Sequence, residues 1–279
     1  MERGLSCSSD RTIRVWDLSA GTEIERQRME GHTDWVMSCC VFTLDGEWRA
    51  LSTSRDKTMK FWDLESDTEK CLYTYTGHQD MIGGCEVYLE DGSNWRQCGA
   101  AGATGEADRA LTCSDDKTLR VWDLRTHGCR HTLAGHTGIV IGCCVFRDQL
   151  KDRQFGVSCS ADGTLRIWDL VDGKCERVME DPDQKSRVRG CGAFSDGSKI
   201  ISCSGNILRV WDRDLLIKTE PVLQDQAMTM QVFIPLQLNL SCIRVSHCCY
   251  RCFCRTAHTW SGSGGSTCSY TSTRRGPRN

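Results

Sequence analysis

The chain of 279 residues carries 35 basic and 37 acidic side chains, a formal net charge of −2, which argues against broad electrostatic capture of nucleic acid. No stretch of 18 apolar residues occurs, and Met1 to Cys7 contain no apolar signal core, so neither a helical membrane span nor a secretory leader is expected. The charge is unevenly spread: all acids precede residue 226, and residues 226–279 hold six arginines and no lysine.

Taken in order, the predicted elements are short strands in repeating sets. Residues 1–30 give Leu5 to Ser8 and Thr12 to Trp16, joined by Ser9-Asp10-Arg11, then Ile24 to Met29. This set has three strands where the later ones have four. Either another segment supplies the missing first strand, or the coding sequence begins too late. Residues 31–76 give an apolar run from Val36 to Phe42, an Asp45-Gly46 hairpin signal, and strands over Leu51 to Ser54, Met59 to Trp62 and Cys71 to Tyr75. Residues 77–134 repeat this with an insert, Ser93 to Asp108, whose Gly-rich composition reads as a surface loop. A phosphate loop would need Gly-Lys-Ser/Thr, whereas Gly105 is followed by Glu106-Ala107. Residues 135–179 are regular, with strands over Val140 to Phe146, Gly156 to Ser160 and Thr164 to Trp168. Residues 180–223 are degenerate, with Glu180-Asp181-Pro182 at the entrance and a shortened turn at Ser204-Gly205-Asn206 that has lost its acid. Past Asp225 the pattern ends. Met228 to Leu240 alternate like an edge strand limited by Pro235. Residues 224–279 read as a reading-frame or splice departure, or else as a divergent Cys- and Arg-rich tail.

One string organises these sets. Ser52 to Asp63 recurs with substitutions, its copies ending at Trp16-Asp17, Trp122-Asp123, Trp168-Asp169 and Trp211-Asp212, at steps of 46, 60, 46 and 43 residues. Gly31-His32, Gly77-His78 and Gly135-His136 open three units. In this register the chain resembles the WD-repeat family. The resemblance implies an all-β propeller of four-stranded blades, here partial with about five blades over residues 1–223. It also implies hydrogen-bonded sets joining His32, Ser52, Asp56 and Trp62; His78, Thr112, Asp116 and Trp122; and His136, Ser158, Asp162 and Trp168. Ser6, Asp10 and Trp16 form a set without its histidine. By the same resemblance, partners contact the rim at Trp35, Met37 and Arg55; Met81, Gly83 and Asp115; Ile139, Ile141 and Ala161; and, in the degenerate unit, Arg187 and Arg189.

The cysteines fall into columns. Cys39, Cys85, Cys143 and Cys191 share one repeat position, and Cys7, Cys113, Cys159 and Cys203 another. Both columns lie in strand-like stretches, so reduced thiols packed between blades in a cytosolic-type compartment are expected. Zinc is not expected in the tail, because Cys249 and Cys252 are the one clear pair near Cys242 and His258, and zinc needs four ligands. Asn239-Leu240-Ser241 matches a glycosylation sequon, which carries little weight without a secretory signal. His, Ser and Asp together could suggest a hydrolase, but they recur three times with a Trp and no Gly-x-Ser-x-Gly elbow accompanies them. No catalysis, metal, cofactor or small-molecule substrate is expected.

The leading function is therefore a protein-interaction scaffold whose partners are other proteins, in the cytoplasm or alternatively the nucleus. Trp122-Asp123-Leu124-Arg125 resembles the sequence that substrate receptors of cullin-type ubiquitin ligases present to their adaptor. RNA or chromatin binding, a third reading, rests on Arg187, Arg189 and the basic tail.

Overall fold

The computed structural model describes residues 2–24, 28–66, 70–90, 107–148, 150–180, 186–194, 197–205, 207–213, 223–224 and 258–261. These residues form five antiparallel sheets of four strands each. The first sheet contains β1 (Glu2–Cys7), β2 (Ile13–Asp17) and β3 (Thr22–Glu23). The second contains β4 (Val36–Leu44), β5 (Glu47–Ser54), β6 (Met59–Asp63) and β7 (Cys71–Tyr75). The third contains β8 (Ile82–Tyr88), β9 (Arg109–Ser114), β10 (Leu119–Asp123) and β11 (Cys129–Leu133). The fourth contains β12 (Val140–Asp148), β13 (Arg153–Ser160), β14 (Thr164–Asp169) and β15 (Lys174–Glu180). The fifth contains β16 (Gly190–Ala193), β17 (Lys199–Ser204), β18 (Ile207–Asp212) and β19 (Leu223–Gln224). The twentieth strand, β20 (His258–Ser261), pairs antiparallel with Glu2–Leu5 and completes the first sheet. The missing first strand is thus supplied by another segment of the same chain.

The strands form because their sequences alternate between two buried faces. Successive sheets pack face to face, so a strand such as β12 is apolar on both sides, as a doubly covered strand should be. Leu5, Ile13 and Val15 of the first blade pack on Val36, Ala50 and Trp62 of the second. Phe42, Leu51 and Phe61 of the second pack on Val87, Ala110 and Trp122 of the third. The same alternation joins the third blade to the fourth and the fourth to the fifth.

Several strands outrun their predicted spans. Beyond Phe42, β4 continues to Leu44, turns through Asp45-Gly46, and returns from Glu47. Both turn residues have positive φ, 55° and 81°, the primed geometry that matches strand twist in a two-residue hairpin. Likewise β12 and β13 extend through Arg147, Asp148 and Arg153, polar residues that pair across the hairpin. The fourth strand of the first blade is displaced from its expected span. It lies at Thr22–Glu23, and Met29 returns to pair with Ile13 as an isolated bridge.

Both cysteine columns are buried, and every described cysteine is a free thiol. The Sγ atoms of Cys40 and Cys85 stand 3.8 Å apart across the second blade interface. The Ser93 to Gly105 part of the insert, the alternating run from Met228, the sequon and Cys242 to Cys254 lie outside the described residues. Among the described residues no helix is long and apolar enough to cross a membrane.

Candidate functional site

Each regular blade is tied at one end by a chain of side chains from two strands, the loop that enters the blade and a turn. The indole N–H of Trp62 can only donate, and Ser52 Oγ accepts it at 2.8 Å. The serine hydroxyl then donates to His32 Nε2 at 2.7 Å, which leaves Nδ1–H to donate to the Asp56 carboxylate at 2.8 Å. The second set repeats this through Trp122, Thr112, His78 and Asp116, at 2.9, 2.9 and 2.7 Å. The third runs through Trp168, Ser158, His136 and Asp162, at 2.8, 2.7 and 2.8 Å. The three histidines and three hydroxyls are all buried. Burial pushes each imidazole below the usual histidine value despite the adjoining carboxylate. Burial also opposes ionisation of Asp116, but the Thr118 hydroxyl, the Gln79 N–H and His78 outweigh it and hold that carboxyl at about 2.

The glycine before each histidine adopts positive φ, +147°, +148° and +157°, which strains any side chain, and at Gly77 a Cβ would also lie 2.8 Å from the Arg120 guanidinium. A second threonine shell went unread in the sequence. Thr58, Thr118 and Thr164 each donate a hydroxyl to the other oxygen of the turn aspartate, at 2.6, 2.6 and 2.7 Å. The signal was the Asp-x-Thr spacing, which also occurs at Asp10 and Thr12. In the first blade Arg14 reaches Asp10 at 2.8 Å, where the other sets place an imidazole. Ser202 was also missed. It accepts the Trp211 indole at 2.8 Å, although the shortened turn puts it nine residues upstream, not ten.

The predicted rim positions come together in pairs beside these turns. Arg55 N–H donates to Trp35 C=O at 2.9 Å, Asp115 to Met81 at 2.9 Å, and Ala161 to Ile139 at 3.0 Å. Met37, Gly83 and Ile141 are the extra residues of one-residue bulges in the first strands of their blades. A bulge re-aims its side chain away from the ladder. Met37 and Ile141 are both half-exposed, and Ile141 also packs on the core between the fourth and fifth blades. Arg187 and Arg189 are exposed. Trp35 is 42% exposed, and the Arg55 guanidinium lies over its ring, 5.3 Å from the centroid. Arg125 of the Trp-Asp-Leu-Arg sequence is exposed and pairs with Asp45 of the neighbouring blade at 2.6 Å.

A rigid stack of antiparallel blades with loop residues clustered at one end defines a β-propeller, a class of binding scaffold. The family model for the WD domain, G-beta repeat, matches residues 3–17, 24–63, 69–123, 127–169 and 173–212. The chain belongs to the WD-repeat family. No curated protein matches it. Membership in this family indicates a protein-interaction scaffold in general terms.

Proposed function

We propose that this chain is a non-catalytic scaffold that presents the rim around Trp35, Met37 and Arg55 to a partner protein. The observation that carries the reading is the exposure of Trp35. The second blade already has its structural indole in Trp62, so Trp35 contributes little to the core. Trp and Arg held together at a rim are the side chains most often found at binding hot spots. The absence of catalysis is supported by the geometry of the His–Ser–Asp sets. Each hydroxyl is wholly buried and already engaged by an indole and an imidazole, so no substrate can reach it. A reducing compartment such as the cytoplasm fits the free thiols. We take residues 1–223 as the propeller unit and residues 224–279 as a separate tail that contributes β20.

The test is Trp35→Ala, compared with wild type by thermal melt and by quantitative capture of partners from cell extract. The melt should be nearly unchanged, while capture weakens roughly thirtyfold, the equivalent of about 2 kcal/mol. Loss of folding would return Trp35 to the core. Unchanged capture would move the binding face elsewhere.

A further inference from the structure

Comparison of equivalent positions around the rim shows a charge left open. In the second blade, Asp34 faces Arg55 at 3.9 Å, and the pair sits beside the Trp35 ring. In the third blade the same two positions are Asp80 and Asp115, a like-charge pair flanking Met81. Asp80 is exposed and Asp115 half-buried. In the fourth blade they are Gly138 and Ala161, with no charge. The nearby cations are committed elsewhere or distant. Lys57 Nζ donates to the Gln79 carbonyl at 2.9 Å. Arg55 is stacked on Trp35 and reaches Asp115 only through its longer-range field. Among the described residues neither Asp80 nor Asp115 forms an ion pair. Burial and the charges of Asp80 and Asp116 raise the Asp115 carboxyl above its usual range, consistent with a missing counter-charge.

We infer that the occupant of this rim is a basic segment of a partner protein, with an apolar side chain on Trp35 and Met81 and a lysine or arginine between Asp80 and Asp115. The inference rests on the Trp35 rim being the binding face. A partner cation would complete in the third blade the opposite-charge pair that Arg55 already makes in the second. Such complementarity sets specificity and association rate more than raw affinity.

The test is selection of a random dodecapeptide phage library on the full-length chain, followed by titration of the winning synthetic peptides against wild type, Trp35→Ala and Asp115→Asn. Melts of both variants, compared with wild type, establish that they fold. Peptides rich in Lys or Arg, weakened about tenfold or more by each substitution, are expected. Peptides lost with Trp35→Ala but without basic residues, or indifferent to Asp115→Asn, would keep the face and overturn the basic partner. Peptides indifferent to Trp35→Ala, or no enriched peptide at all, would overturn the face itself.

Discussion

Asp56 gathers four hydrogen bonds. Its carboxylate accepts from His32, from the Thr33 N–H, and from both the hydroxyl and the N–H of Thr58. Removing it strands a buried imidazole N–H, and each unpaired buried donor costs about 1–3 kcal/mol. Its neighbour Arg55 contributes mainly an exposed contact to Trp35, of a kind that adds about 0.5–1 kcal/mol. Asp56→Ala should therefore lower stability by about 3 kcal/mol and Arg55→Ala by less than about 1 kcal/mol, as read by denaturant melts. Equal shifts would mean that the turn carboxylate is not what ties the blade. At this scale the tetrads were legible, because the spacings from hydroxyl to Asp and from Asp to Trp, and the Gly-His pair, repeat in three blades. The threonine shell and Ser202 were not read. A threonine two residues past an aspartate is common in any turn, and a deletion hid the serine by one place.

Strands were legible where both faces are apolar and harder to bound where polar residues continue the ladder. The hairpin joining β4 to β5 was visible in Asp45-Gly46, yet its arms, Thr43 to Leu44 and Glu47 to Ala50, fell outside the predicted strands. Met37 and Ile141 fell within predicted apolar runs as well as on the predicted rim, and only the pairing register shows them, with Gly83, to be bulges. The edge of β1 gives a prediction at this scale. Its outer side is paired by β20 from the far end of the chain. Truncation after residue 225 should leave that edge open, since an unpaired edge exposes its amides to water. Hydrogen exchange should then accelerate at the amides of residues 2–5 that bond to β20, while those of the fourth blade keep their protection. Unchanged exchange across residues 2–5 would show that β20 adds nothing to the sheet.

Three tetrads act in parallel across the whole molecule, which makes its stability respond to acid. Each histidine has a folded-state value depressed below 6.5. The unfolded chain therefore binds protons first as pH falls, and stability declines from about 6.5 down to the lower folded value. A second decline follows between 3.8 and about 2, where Asp116 is still ionised in the folded chain but protonated in the unfolded one. Denaturation midpoints should be flat just above neutrality and fall on acidification through 6.5. The neutral imidazole of each tetrad takes its proton only by disturbing the hydroxyl-to-His bond. His78→Gln in addition to His32→Gln should shrink the upper step, leaving the part that His136 contributes. A midpoint that rises on acidification through this window would overturn the neutral assignment.

The sequence by itself determined the class of fold, the blade repeat and the identity of the tying residues. Each depends on local spacing: alternation along a strand, a glycine before a histidine, a tryptophan ten residues after a hydroxyl. Only the tertiary structure decided which distant segment completes the first sheet, because β20 lies more than 250 positions from its partner and carries no repeat signal. It also decided which rim residues face water. Met37 and Ile141 share one repeat position and are both half-exposed, yet Ile141 also packs on a core made with the next blade. That difference depends on what packs alongside, which no spacing within a blade can encode.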